Sequence, residues 1–394
     1  MSQQPLEQRE ISAPRVGRFK VYIQGDLKHS QFVILTVHDL GCNHEMWTNF
    51  LAGPAMEEIM RRGAFIHVDI PGQEDDAPDL PADYTFPTMQ SLGEDLVCVL
   101  DQLDVKQVIG LGEGAGANII VRFAMAQPER VLGIVLIHCT GTTAGVMESL
   151  KDKVMNWKLE QIGMNPSTEA YLCLHRFGSD NKSVVKQHRR QKVKPIEFRL
   201  PFYEAVKYEA FWFEKAENKE QLQRVIENFQ HSLRSKINPR NLKRFVQAFM
   251  KRSNIADQVS KLKCRVLMVT GSKASFNHTV HNLFARMRER LDKMECDILE
   301  VDGVANVLEE KPERFAECLL YFLQGLGFVG GVPMPRVQRS ASIDSTGTPP
   351  GRTRSMSMEE ADMPRGIYSM SPPKYGSPTR GSSGDVLSTS PTKG

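Results

Sequence analysis

A glycine-rich turn at 108–118 has the residue spacing that could present a nucleophile. A β-branched run, typical of a buried strand, leads into three alternating glycines and then directly into a helical pattern. In a G-x-S-x-G elbow, a strained turn holds the central serine above a sheet. The turn here reads Gly112, Glu113, Gly114, Ala115 and Gly116. Its central residue is Gly114, and a register shift of two only places Gly112 there, so no register supplies a nucleophile.

The acid and the base of a catalytic triad have their own expected positions. The acid normally follows the strand at 266–270, but the loop 271–275 contains no Asp or Glu. The histidine normally precedes a helix that begins with proline, but the segment 302–312 contains no His. An activated nucleophile needs a base within hydrogen-bond reach and a group that orients this base. We therefore predict that the chain is not an enzyme of the usual hydrolytic type.

A glycine-rich turn also raises the alternative of a dinucleotide site. Two registers approximate G-x-G-x-x-G/A. One begins with Gly110 and Gly112, and the other with Gly112 and Gly114 and is completed by Ala117. That fingerprint belongs to the first strand of its unit and needs an acidic residue at the end of the next strand. Other strands come first here, and the next strand ends in His138 and Cys139. We therefore predict no cofactor.

A second group of chemically capable residues follows two other predicted strands. The candidate pocket residues are His38, Asp39, His44, His67, Asp69 and, from the turn above, Glu113. Ligands of open α/β sheets bind at the carboxyl ends of the strands, so these side chains could line a pocket. Alternatively, the aspartates cap loops, the histidines satisfy turn backbone, and Glu113 is an ordinary loop carboxylate. No H-x-x-x-H spacing is present, and we predict no metal site.

Alternating strands and helices must position these residues. Short β-branched or fully apolar runs predict strands at 19–24, 32–37, 65–69, 108–111, 132–138, 266–270 and 297–301. Helical spacing between them, for example at 89–103 and 116–127, indicates a mostly parallel sheet that is flanked by helices. The segment 146–261 lacks convincing strands and predicts helices at 148–159, 167–177, 202–233 and 241–251. Together with the elbow, this order predicts an α/β-hydrolase fold with an inserted helical cap.

The domain organisation follows from these patterns and from composition. We expect N-terminal strands in 1–30, a first part of the core in 31–145, the helical cap in 146–261, and a second core part in 262–326. Residues 327–394 are rich in Ser, Pro, Arg, Gly and Met and have few aliphatic clusters. Such a segment cannot bury enough apolar surface to offset its ordering entropy, so we predict a disordered tail.

Several spaced motifs make the chain resemble the N-myc downstream-regulated (NDRG) family across the predicted folded part. They are Thr36–His44, His67–Gln73, Leu80–Tyr84, Gly110–Asn118, Arg122–Ala124 and Asn238–Leu242. The resemblance implies a non-catalytic α/β-hydrolase fold with a phosphorylated C-terminal tail. It also implies roles in stress response, growth and differentiation signalling, and vesicle trafficking. The stretch 184–217 is longer than the corresponding segment usual for the family.

Composition limits the compartment and the partners. The net charge of +3 over 394 residues argues against a surface built for nucleic acid. Seven cysteines without a C-x-x-C pair suit a reducing compartment, and neither a signal sequence nor an apolar run of membrane-spanning length is present. We expect a cytoplasmic protein. The basic run 186–194, followed by aromatics in 202–213, is a candidate contact with anionic lipid or an acidic partner, although such a run is usually a solvated face.

The tail carries candidate phosphorylation sites. Arg352 and Arg354 stand at the R-x-R-x-x-S spacing from Ser357 that basophilic kinases favour. The full set of candidates is Ser342, Ser355, Ser357 and the serines of three Ser-Pro pairs, Ser371, Ser377 and Ser390. A phosphate adds about two negative charges and can reverse the local charge of a basic tail.

Our leading interpretation is a non-enzymatic scaffold or adaptor that binds signalling or trafficking proteins and is regulated by kinases acting on the tail. The alternatives are a small-molecule or lipid sensor, and an atypical hydrolase that uses residues at the sheet edge.

Overall fold

A computed structural model describes residues 6–141, 166–178, 219–291 and 295–329. The chain divides at Val332 into two units, and every described residue belongs to the first. Within the described ranges, no helix is long and apolar enough to cross a membrane. The predicted helix at 148–159, most of that at 202–233, the longer stretch 184–217 and the tail from 330 onward lie outside these ranges.

An eight-stranded sheet forms the centre of the fold, in the order β1-β2-β4-β3-β5-β6-β7-β8. The strands are β1 Leu6–Ala13, β2 Gly17–Gln24, β3 Phe32–Val37, β4 Gly63–Asp69, β5 Val108–Glu113, β6 Val131–Ile137, β7 Arg265–Gly271 and β8 Cys296–Val301. The pairs β1–β2 and β2–β4 are antiparallel, and the other neighbours are parallel. The predicted mostly parallel sheet is confirmed. β1 lies in the segment 1–30, where N-terminal strands were expected, but its mostly exposed side chains did not reveal its position.

Helices cover both faces of the sheet. They are α1 His44–Leu51, α2 Glu57–Arg62, α3 Met89–Asp95, α4 Val97–Gln102, α5 Ala115–Ala126, α6 Pro166–Phe177, α7 Lys219–Ser235, α8 Pro239–Met250, α9 Asn277–Arg290, α10 Val307–Glu310 and α11 Pro312–Gly325. The helix predicted at 89–103 is two helices, because the chain turns at Leu96. α6, α7 and α8 lie in the segment predicted as the cap.

Alternate residues of the central strands enter two separate cores. On one face Leu35, Ile66 and Leu136 pack with residues from α3, α5 and α8. On the other, Ile34 and Val135 join a cluster that includes Trp47 of α1 and residues of α11. Successive side chains of a strand point to opposite faces of the sheet, and here both faces are apolar. The sequences of these strands are therefore continuous hydrophobic runs.

The elbow between β5 and α5 is packed against backbone on two sides. Gly114 has φ +53° and ψ −111°, a conformation that L side chains rarely adopt. A Cβ on Gly116 would lie within 3.0 Å of the carbonyl oxygens of Val37 and His38, and a Cβ on Gly112 would lie 2.6 Å from the nitrogen of Ala117. Helix α5 can therefore approach β3 and β5 only because these positions lack side chains.

Substitution Gly116→Ala tests this close approach. Alanine favours helix over glycine, but here the added methyl must displace strand backbone, so we expect a loss of about 2 kcal/mol in the free energy of unfolding. The matched control is Gly325→Ala in the last turn of α11, where the nearest atom is the mobile end of Arg265 at 3.1 Å. Urea denaturation measures both. Equal stability of the two variants would contradict the packing described here.

Candidate functional site

The Asp39 carboxylate lies directly against the elbow glycine. Asp39 follows β3, is buried, and its Oδ1 accepts a hydrogen bond from the Ala115 N–H at 2.8 Å. The Leu40 N–H also donates to this carboxylate. A Cβ on Gly114 would meet the carboxylate group of Asp39 within 3.0 Å. The Asp39 side chain thus occupies the space in which an elbow nucleophile would begin.

The two donors have a specific position in this fold. In an α/β-hydrolase elbow, the N–H after the nucleophile and an N–H from the loop after β3 form the oxyanion hole. Ala115 follows the elbow glycine, and Leu40 lies in the loop after β3. In this chain both N–H groups donate to a side-chain carboxylate of the protein itself.

His175, from the cap helix α6, pairs with Asp39. Its Nε2 lies 3.0 Å from Oδ2 of Asp39, and both side chains are buried. Burial alone would raise the pKa of Asp39, but the charge of His175 and the hydrogen bonds to its carboxylate hold this pKa below its ordinary value. Burial would lower the pKa of His175, but the Asp39 carboxylate raises it. The pair is therefore a buried aspartate–imidazolium ion pair.

Glu113 forms a second buried group beside this pair. It ends β5 and is fully buried, so it is not the loop carboxylate of the alternative interpretation. Its Oε1 accepts a hydrogen bond from Nδ2 of Asn306 at 2.8 Å and lies 3.4 Å from Nδ1 of His138. Asn306 also donates to the carbonyl of Arg176 and caps α10. An amide, which cannot act as a base, thus stands in the segment that lacks the triad histidine.

Arg176 joins the cap to the same region. Its guanidinium pairs with Glu309 at 2.9 Å and contacts Sγ of Cys42. It also lies 5.5 and 5.3 Å from the ring centres of Phe177 and Phe229. The neighbouring carboxylates raise its pKa against the opposing effect of burial. Burial raises the pKa of the Cys42 thiol to about 12, so this nearby sulfur stays protonated and is a poor nucleophile.

Four buried polar atoms in this region have no hydrogen-bond partner within the described part of the chain. They are Oε2 of Glu113, Nε2 of His138, Nδ1 of His175 and Nε of Arg176. A buried polar atom left unsatisfied costs about 1–3 kcal/mol. We name the group Asp39, Glu113, His138, His175, Arg176 and Asn306 the buried polar cluster.

The remaining candidate pocket residues make structural contacts of their own. His38 accepts a hydrogen bond from the Ile70 N–H at its Nε2, at 3.1 Å, and donates from Nδ1 to the carbonyl of Asp39 at 2.8 Å. Burial lowers the pKa of His38, so the ring stays neutral. His67 lies 2.8 Å from Oγ1 of Thr36, and burial lowers its pKa to about 3. Neither ring has a nitrogen available to act as a base.

His44 and Asp69 form a local pair. Asp69 accepts from the backbone N–H of His44 at 2.6 Å and from Nδ1 of its ring at 2.8 Å. The His44 ring stacks on Tyr22 with centroids 3.5 Å apart. Asp69 thereby holds the start of α1 against β4. Among the described residues no group of three or more His, Cys, Asp or Glu side chains is arranged to hold a metal ion.

Sequence reasoning identified Asp39 and Glu113 but missed the other four members of the buried polar cluster. His175 lies inside the predicted cap helix, 136 positions from Asp39, and no local pattern links the two. His138 was placed in a strand, whereas it follows β6 with φ +51°. This left-handed residue directly after a strand is visible only in the backbone. The candidate phosphorylation sites, and the basic and aromatic segment at 186–213, lie outside the described residues.

Sequence comparison identifies the family and several relatives of this chain. A sequence model of the Ndr family matches residues 9–199 and 202–330. An uncharacterized protein of Caenorhabditis elegans is 37% identical over 93% of this chain and 95% of its own length. Protein NDRG1 of Xenopus tropicalis is 29% identical over 82% of this chain and 72% of its own length. Protein NDRG2 of Bos taurus is 28% identical over 91% of this chain and 88% of its own length.

Several solved structures with the same fold are hydrolases. An esterase from Thermogutta terrifontis has a TM-score of 0.58 and 14% identity, covering 81% of this chain and 99% of that enzyme. The enol-lactonase of Burkholderia xenovorans has a TM-score of 0.55 and 13% identity, over 78% of this chain and 96% of that enzyme. At these identities the likeness shows the fold alone.

The ion pair predicts a pH dependence of stability. His175 has a raised folded pKa, so its contribution is complete below the unfolded value of about 6.5 and is lost as pH rises through the folded pKa. Asp39 has a lowered folded pKa, so its contribution is present above about pH 4 and is lost as pH falls through the folded value. The pair is therefore at full strength between about pH 4 and 6.5.

We expect His175→Gln to destabilise the protein by about 3 kcal/mol at pH 6 and by less at pH 9, because the stability that the raised pKa of His175 contributes declines once pH exceeds the unfolded value. Urea unfolding at both pH values measures the difference. The control is His29→Gln, whose exposed ring pairs with Asp26 at the surface and should change stability little. A His175→Gln loss that is the same at both pH values would contradict an ion pair.

Proposed function

The chain belongs to the Ndr family, and from this membership we propose that it works by binding rather than by turnover. It is a non-enzymatic scaffold or adaptor in signalling, stress response, differentiation and vesicle trafficking. The observation that supports this proposal most directly is the Asp39 carboxylate against Gly114, which accepts the Ala115 N–H.

Acyl transfer at an elbow requires a nucleophile, a base within reach and open oxyanion donors. Gly114 supplies no nucleophile, and the thiol of Cys42, which lies near Asp39 and Glu113, stays protonated. The donors at Leu40 and Ala115 already bind Asp39. Loss of a single oxyanion donor typically costs about 10²- to 10³-fold in rate. A substrate would have to displace Asp39 together with its partner His175, against a buried ion pair.

Regulation is proposed to come from the tail. Phosphorylation by basophilic kinases at Ser342, Ser355 and Ser357 would convert a positively charged stretch into a negatively charged one, and would change which acidic or basic partners bind. We propose a cytoplasmic location with partial membrane association through the basic and aromatic segment 186–213. No nucleic acid is among the proposed partners.

A small-molecule or lipid sensor is the second candidate. The four unsatisfied atoms of the buried polar cluster favour it, since a polar ligand or water that met them would remove their desolvation cost. An atypical hydrolase is the weaker alternative, because the ring nitrogens of His38 are both engaged and Asp69 is held by His44.

We expect the purified full chain to show no turnover of ester, thioester, epoxide or peptide substrates above the level of a Glu113→Gln variant, which keeps the shape of the side chain. Gly114→Ser should not create activity, because its Cβ would collide with Asp39. The double variant Asp39→Gly/Gly114→Ser removes that collision but still lacks the triad acid and histidine, so it should also stay inactive. Turnover in the wild type that is lost in Glu113→Gln would overturn the non-enzymatic proposal.

Partner capture from the source cells tests the adaptor role. The bait is the full chain in three forms: wild type, Ser342/Ser355/Ser357→Ala, and the same three serines changed to Asp. We expect the Ala and Asp forms to recover at least one signalling or trafficking protein in amounts that differ several-fold. Replacement of Ser371, Ser377 and Ser390 by Ala is the control with the same number of changes. Phosphopeptide mapping that finds the tail unmodified in stimulated cells would remove the regulatory part.

A further inference from the structure

β1 is an edge strand whose outer side is open along most of its length. It ends the strand order of the sheet and pairs with β2 alone, through eight regular antiparallel residue pairs. Edge strands are usually short, bulged or protected by proline or lysine, because their unpaired N–H and C=O groups attract a further strand. β1 has eight residues and contains neither proline nor lysine. It therefore keeps the capacity to pair with another strand.

The backbone groups that point outward can be identified from Ser12. Its N–H and its C=O both bond to the side-chain amide of Gln102 in α4, at 3.2 and 2.8 Å, so they point away from β2. In an antiparallel strand this direction alternates from residue to residue, and the N–H and C=O groups of Leu6, Gln8 and Glu10 therefore also point outward.

The outward groups before Ser12 are open. Within the described part of the chain, no backbone or side-chain group bonds to the outward N–H and C=O of Gln8 and Glu10. All five residues from Leu6 to Glu10 are exposed. Gln102 thus closes the edge at Ser12 and leaves the segment Leu6–Glu10 free to accept a partner strand.

The charges of this open segment are self-complementary. Glu7 and Arg9 lie two residues apart on one face of β1, where they are more than half exposed and form an ion pair with each other. If a second copy of β1 pairs antiparallel about a two-fold axis at Gln8, Glu7 of each copy lies opposite Arg9 of the other. The outward groups of Gln8 then face their own copy, and those of Leu6 face Glu10, which completes the backbone bonds. Opposite charges at directly opposed positions stabilise a strand pair.

The neighbouring symmetric registers lack this match. A two-fold axis at Glu7 or at Arg9 would place that side chain directly opposite its own copy, and like charges in this position destabilise a strand pair. An axis at Glu10 would need backbone bonds to Ser12, whose N–H and C=O are already bound by Gln102. The axis at Gln8 is therefore the register that the charges and the open backbone groups favour together.

We propose that β1 mediates a two-fold symmetric dimer of this chain, in which the segments Leu6–Glu10 of two copies pair antiparallel about Gln8. The two sheets then continue into one another across the edge. Pairing over five residues buries less than the roughly 1,200 Å² of a stable interface, so we expect a weak dimer with a dissociation constant in the micromolar range. The dimer is independent of the adaptor role and of the buried polar cluster, and either proposal can fail without the other.

Sedimentation velocity of the full chain over a series of concentrations measures this dimer. We expect the wild type to change from monomer to dimer as its concentration rises through the micromolar range. Glu7→Arg opposes two positive charges at both ends of the paired segment, and Arg9→Glu opposes two negative charges. Each single variant should weaken the dimer about tenfold.

The double variant Glu7→Arg/Arg9→Glu restores opposite charges across the pair and should dimerise within about threefold of wild type. This rescue separates cross-strand pairing from a general effect of charge. The control Arg286→Glu breaks an exposed ion pair with Glu289 on α9 and should leave the dissociation constant unchanged. The proposal is overturned if the wild type stays monomeric up to about 1 mM, or if the double variant dimerises as poorly as the single variants.

Hydrogen exchange identifies the occupant of the edge. In concentrated wild-type protein the amides of Gln8 and Glu10 should be protected, and this protection should disappear on dilution and in Glu7→Arg. The amides of β8, at the opposite edge of the sheet, should not change. Protection of Gln8 and Glu10 that persists in the monomer would assign the edge to another segment of the same chain and overturn the dimer. A dimer that forms without protection of these two amides would overturn it as well.

Discussion

The Asp39 carboxylate lies against the backbone of Gly114, and the two positions constrain each other. Position 114 must be glycine, both for its φ of +53° and because any Cβ would enter the carboxylate. In return, the carboxylate accepts the N–H of Ala115, which would otherwise be a buried donor at the start of α5, and the N–H of Leu40 in the loop after β3. One side chain thus replaces both the nucleophile and the oxyanion that an elbow of this shape accommodates in an enzyme.

This contact also determines how the cap meets the sheet. His175 brings the counter-charge for Asp39 from α6, and Arg176, its neighbour, binds Glu309 on the far side of the elbow. Breaking a buried ion pair by removing one partner typically costs about 3–5 kcal/mol, because the other charge stays buried. The cap is therefore held in place by charges at the position where enzymes of this fold leave room for a substrate, which accords with a binding role.

Much of the fold was predictable because its signals are local. The parallel strands are buried on both faces, so their sequences are continuous apolar runs, and Gly112, Gly114 and Gly116 mark the elbow by their spacing. The position of β1 was not predicted, since six of its eight residues are exposed and it pairs with one strand only, β2. The division of the helix predicted at 89–103 was not foreseen, because the break at Leu96 involves neither glycine nor proline.

The sequence by itself determined the family resemblance, the α/β sheet with its elbow, and the lack of Ser, Cys or Asp at position 114. Only the tertiary structure decided what occupies the emptied site. Asp39 and His175 lie 136 positions apart, and their pairing depends on how the cap packs over β3 and α5. Side-chain types and their periodicity are encoded along the chain, whereas pKa shifts, ion pairs and cavities arise only when distant segments exclude water from each other.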